Sequence, residues 1–111
     1  MDTLDTYREI CEEILTGYTI IPYAYGDIQI QTVFDRESDH YMVMLVGREG
    51  IKRIHGCLIH LDIVDDKIWI QRDGTEHGIA RDLLEAGVPK DRIVLAFRSP
   101  EARQNSEFAV A

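Results

Sequence analysis

Between Ile28 and Arg72 four apolar-rich runs follow one another, separated only by short polar or glycine-bearing stretches. The runs are Ile28 to Phe34, Tyr41 to Val46, Ile54 to Ile63 and Lys67 to Arg72. Asp35-Arg36-Glu37-Ser38-Asp39, Gly47-Arg48-Glu49-Gly50 and Val64-Asp65-Asp66 have the chemistry that reverses a chain between neighbouring strands. Connections this short favour an antiparallel meander.

The meander is flanked by helical patterns. Leu4, Tyr7, Cys11, Ile14 and Tyr18 recur at spacings of three and four, with Leu15 widening the stripe. An amphipathic helix over residues 3–16 is predicted, capped by Asp2 or Thr3 and stopped at Gly17. Ile79, Ala80, Leu83 and Leu84 return to helical spacing. Asp73 and Glu76 have capping-box separation before this second helix, and Gly87 with Val88 marks its end. Arg92 to Phe97 is almost continuously apolar and reads as a fifth strand, parallel to the fourth if the helix crosses over. The ending SPEARQNSEFAVA reads as a cap.

Together these elements predict one α+β domain over residues 1–111: two layers, ordered helix, four-strand antiparallel meander, helix, fifth strand. With 111 residues there is room for a single core. Cys11 and Cys57 lack C-x-x-C spacing and fall on expected core faces, as buried reduced thiols do. No apolar stretch is long enough to span a bilayer, and the acidic start MDTLDTYREICEE is unlike a signal peptide, so a cytoplasmic protein is expected.

Counting by twos, the third strand puts Cys57, Ile59, Leu61 and Ile63 on one face and Leu58, His60 and Asp62 on the other. The second strand is apolar on both sides. Two helices cover one face of a five-stranded sheet, which leaves Met42, Met44, Leu58 and Trp69 in need of a cover. A homodimer or a protein partner is the expected one, with the C-terminal segment as the alternative. Tyr23 and Tyr25, in the aromatic connector after the first helix, and Phe108, in the apolar tail, complete the expected interface.

Chemical signatures are sparse. His55-Gly-Cys57-Leu-Ile-His60-Leu-Asp62 holds four potential metal ligands, but alternation puts His55 with Cys57 and His60 with Asp62 on opposite faces. Only a bulge, for instance at Gly56, or a donor from elsewhere completes a site, so no metal ligand is assigned. Asp65-Asp66-Lys67 resembles the acid-x-Lys fragment of a magnesium-dependent nuclease class, with Asp62 nearby; it straddles a predicted turn. Asp73 to Gly78 has the look of an anion cradle, yet its acids favour helix capping. No G-x-S-x-G, Walker-type or dinucleotide fingerprint occurs, and no catalytic residue or cofactor is expected. Twenty acidic against twelve basic residues give a net charge of -8, without a basic arm. This argues against direct contact with DNA, whose phosphates demand clustered Lys and Arg.

Beyond these patterns, YREICEEIL, IPYAYGDI, HGCLIHLDI, KIWIQRDGTEHGIA, AGVPKDRIVLAF and SEFAVA run through nearly the whole chain. In these segments it resembles the XisI family, the fdxN-element excision controlling factor proteins of cyanobacteria. The resemblance implies an XisI-like fold and an accessory role in site-specific DNA rearrangement, where a recombinase carries the chemistry. It also implies an XisH-like protein partner, itself nuclease-related, that such a protein assists or restrains. The expectation is a non-enzymatic controlling factor acting through protein contacts. The alternatives are a metal-dependent nuclease subunit using Asp65, Lys67 and Asp62, and a ligand sensor near Tyr23 and Tyr25.

Overall fold

The computed structural model describes residues 3–20 and 27–111. Helix α1 spans Thr3–Ile20, followed by strands β1 (Asp27–Asp35), β2 (His40–Glu49), β3 (Lys52–Val64) and β4 (Lys67–Asp73). Helix α2 (Ile79–Glu85), a 3-10 turn at Lys90–Arg92, strand β5 (Ile93–Val94) and helix α3 (Pro100–Gln104) complete the chain. The sheet order is β1-β2-β3-β4-β5; the first four strands pair antiparallel and β5 lies parallel to β4. The expected α+β meander is therefore present. Among the described residues no helix is long and apolar enough to cross a membrane.

One face of the sheet carries the core. Tyr41 and Val43 of β2, Ile59, Leu61 and Ile63 of β3, and Ile68 and Ile70 of β4 are buried there against Tyr7, Cys11 and Leu15 of α1 and Ile79 and Leu83 of α2. Burial pushes the Cys11 thiol up to about 12, so it stays protonated and acts as a small hydrophobe.

Helix α1 runs four residues past its expected end. Among the described residues nothing lies within 4 Å of a Cβ added at Gly17, which takes no left-handed conformation. The Tyr18 hydroxyl donates to Asp82 Oδ2 at 2.7 Å and ties the last turn to α2. Tertiary contact thus outweighs the roughly 1 kcal/mol helix cost of glycine. Helix α2 ends as predicted: the Val88 amide donates to the Leu83 carbonyl and the Gly87 amide to the Leu84 carbonyl, with Gly87 left-handed at φ 100°. Its start differs from a capping box. Asp73 Oδ2 accepts from the Ile79 amide at 2.8 Å, while Oδ1 accepts from the Thr75 amide at 3.0 Å. Asp73 therefore serves the helix across a loop, and Glu76 is exposed.

The fifth strand is shorter than expected, because the Ala96 amide turns back to the Val94 carbonyl and the Arg98 amide to the Leu95 carbonyl. Ser99 then caps α3 through the Ala102 amide, with Pro100 in the first turn. Apolar continuity from 92 to 97 reflects burial of Ile93, Val94 and Leu95, not strand length.

The turn between β1 and β2 is fastened to α1. Asp39 accepts from Arg8 Nε at 2.8 Å and from the Tyr41 hydroxyl at 2.9 Å, and Arg36 clasps Glu12 through two bonds of 2.7 and 2.9 Å. Arg8 holds the Asp39 carboxyl below its usual range, and Arg36 does the same for Glu12. Carboxylates depressed in the folded state stabilise it above the unfolded range near about pH 4, and that contribution is lost as pH falls through their folded values. Acid unfolding followed by circular dichroism is expected to be steeper for the wild type than for Asp39→Asn, which is already weakened at neutral pH. Parallel acid limbs would refute this assignment.

Candidate functional site

The sheet face away from α1 and α2 holds the main polar constellation, and a β-bulge builds it. Val43 pairs with Ile59 but Met44 pairs with Cys57, so Leu58 is an extra residue in β3. The expected alternation breaks there. Leu58 packs against the core cluster instead of facing outward, and Cys57 leaves the core face to sit opposite Met44. His55 pairs with Val46, His60 with Met42 and Asp62 with His40. All four donors of the His55 to Asp62 run therefore share the outer face, two residues away from the bulge position expected at Gly56.

They are strung along a strand that rises roughly 3.3 Å per residue, which separates His55 from Asp62. The donor that joins His60 and Asp62 comes from β2. His40 Nδ1 lies 2.6 Å and His60 Nε2 2.7 Å from the same oxygen, Asp62 Oδ1. The ring planes of the two histidines meet edge to face at 73°. Asp62 is the one buried charged side chain among the described residues, and its hydrogen bond raises the His40 imidazole above its ordinary range. The sequence gives the His60–Asp62 half of this cluster by parity; His40 needs the β2–β3 register, which no local pattern encodes.

Beside it lies Trp69, the β4 partner of Asp62. The Arg103 guanidinium from α3 sits over its ring, 5.6 Å from the centroid. Among the described residues, Trp69 Nε1 and Arg103 Nε are both buried without a hydrogen-bond partner. The chain's own C-terminal segment thus covers part of the face expected to need a cover. The apolar tail joins the same edge: the Ala109 amide donates to the Ile93 carbonyl at 2.9 Å, and Phe108 packs against the core. Met42 and Met44 are half-buried and Val33 is exposed on this face. Tyr23 and Tyr25 lie outside the described residues.

Asp65 and Asp66 form the two-residue β3–β4 turn with φ of 51° and 62°, the left-handed pair of a tight hairpin, and Lys67 Nζ donates to Ala111 O at 2.6 Å. Asp62 is engaged by the histidines on the outer face, so the three residues of the acid-x-Lys reading hold separate structural positions.

Two cavities flank the sheet. One of about 420 Å³ lies between α1 and α2, where Tyr18, His77 and Asp82 form a hydrogen-bonded trio that sequence reading passed over. Burial, with the Asp82 bond, raises the Tyr18 hydroxyl above its ordinary value. The other, about 380 Å³, is lined by Lys52, Arg53, His55 and Arg72 beside the stretch of β3 that β4 does not reach.

The family model for XisI protein matches residues 1–110. The fold is similar to the crystal structure of a XisI-like protein from Anabaena variabilis, at a TM-score of 0.90 and 39% identity, covering 97% of this chain and 99% of that one. It is also similar to the fdxN element excision controlling factor XisI of the same organism, at a TM-score of 0.85 and 32% identity, covering 99% and 100%. No curated protein matches the chain.

Proposed function

The chain belongs to the XisI family, and from that membership we propose that it is a non-enzymatic accessory factor that controls excision of a DNA element. The observation that carries this reading is likeness along the entire length to a protein described as an fdxN element excision controlling factor. It acts in the cytoplasm through protein contacts, with an XisH-like protein as partner.

Two physical features support the reading. A net charge of -8 opposes docking on phosphates, so influence over DNA passes through another protein. The outer sheet face offers Val33, Met42 and Met44 around a buried acid, an apolar surface with a polar centre of the kind partners use. In the free protein the same patch pairs two copies as a homodimer.

Co-purification with the product of an adjacent XisH-like gene, with light scattering of the pair and of each component, tests this directly. A stable complex is expected, weakened at least about tenfold by Met42→Glu with Met44→Glu, a loss near 1.4 kcal/mol. The double variant is also expected to scatter as a monomer while keeping its circular dichroism. A wild-type protein that ignores the partner would sink the partner reading; a dimeric double variant would move the contact to another face.

A further inference from the structure

We propose that His40, His60 and Asp62 form a binding site for a divalent transition-metal ion of the zinc class on the outer face of the sheet. The inference stands apart from the excision reading, because it rests only on three side chains and the register that joins them.

His40 and Asp62 are direct cross-strand partners, and His60 precedes Asp62 by two residues on the same face. The three donors are thus set by two hydrogen-bonded strands rather than by loops, the kind of support that holds a coordination geometry. One ligand atom from each lies within 4.8 Å of the other two. Both rings aim a nitrogen at a single carboxylate oxygen, at 2.6 and 2.7 Å, so their lone-pair directions already converge.

Zinc bonds to His nitrogen and carboxylate oxygen at about 2.0–2.2 Å, which in a tetrahedron separates donors by about 3.4 Å. Insertion of the ion requires the carboxylate oxygen to draw back by less than about 1 Å from each ring, and the two ring nitrogens, which lie within 4.8 Å of each other, to settle at about 3.4 Å. The metal then takes the place of the proton between nitrogen and oxygen, and that proton moves to the ring's other nitrogen or, from a charged imidazolium, leaves to solvent. Two imidazoles with one carboxylate suit zinc, cobalt or nickel; magnesium and calcium select oxygen sets.

Exposure of the side chains is graded, with 13% for Asp62, 29% for His60 and 47% for His40. The carboxylate forms the floor and His40 the rim, so the ion has a path in. Three protein ligands leave a fourth tetrahedral position for water or a donor from a bound molecule. His55 and Cys57 share the face but lie farther down β3, and the Cys57 thiol donates to the Ile59 carbonyl.

Calorimetric titration of the full chain with Zn²⁺ and with Mg²⁺, alongside the absorption spectrum of the Co²⁺ form, decides the matter. One zinc per chain is expected, with a raised unfolding temperature and no magnesium response. Cobalt should give tetrahedral d–d bands without a thiolate charge-transfer band. His60→Gln and, separately, the rim substitution His40→Gln should each weaken zinc by more than the roughly 10–100-fold that loss of a supporting partner costs. His55→Gln should leave affinity unchanged. Absence of saturable binding in the wild type, full affinity in both His40→Gln and His60→Gln with circular dichroism intact, or a thiolate band implicating Cys57 would each overturn the proposal. His40→Gln, at the half-exposed rim, supplies the test if His60→Gln fails to fold.

Discussion

Leu61→Ala is expected to lower unfolding stability by about 2–5 kcal/mol, read as a fall in the urea midpoint with an unchanged slope. Leu61 is fully buried toward the end of the middle strand, between its partners Tyr41 on β2 and Ile70 on β4, themselves fully buried. Both neighbours are held by ladder bonds and cannot close over the space left by the lost methyl groups. The cavity term therefore adds to the transfer term, which places the change toward the upper end of the range. A cost below about 1 kcal/mol would mean that α1 settles into the gap and that the core is softer than its burial implies.

Gly47→Ala should be nearly as damaging, although residue 47 lies toward the end of a strand. Gly47 adopts φ 154° opposite Ile28. An added Cβ would press on the Asp27 carbonyl oxygen and come within 2.8 Å of Ile28 Cα. Backbone cannot rotate aside as a side chain can, so β1 must lift from β2 at this end. A strained backbone costs about 1–3 kcal/mol and overpacking a similar amount, so a loss of about 2–4 kcal/mol is expected in thermal melts. Hydrogen exchange separates this from a core defect: amides of β1 and the far half of β2 should lose protection while those of β3 and β4 keep it. Uniform loss would show that the strand pair is not the weak point.

Legibility of the fold followed the range of the interactions that set it. Strand runs and turns of the meander are written in adjacent residues, as Asp65-Asp66 shows by forming a two-residue turn, and so is the Gly87–Val88 helix ending. The helix extension beyond Gly17 was not legible, because it depends on Tyr18 reaching Asp82, 64 positions away. Parity along β3 held from Ile59 to Ile63 and failed at Leu58, since a bulge leaves no mark in apolar alternation. The His40, His60 and Asp62 cluster was half visible for the same reason: two members share a strand, and the third is brought in by pairing. Arg103 over Trp69 joins segments 34 positions apart by number, so the cover that the C-terminal segment supplies was one of two alternatives until the chain was folded.

Because strand order in the sheet equals order along the chain from β1 to β5, assembly begins with the cheapest loop closures available. Each meander turn joins neighbours across a handful of residues, and closure entropy rises only with the logarithm of loop length, so the three hairpins can form early and quickly. β5 and the Ala109 bridge must wait for the segment that carries α2 to come back across the sheet. The contact that lays Arg103 over Trp69 and finishes the outer face therefore belongs to the long-range closures, whose entropy cost exceeds that of any meander turn.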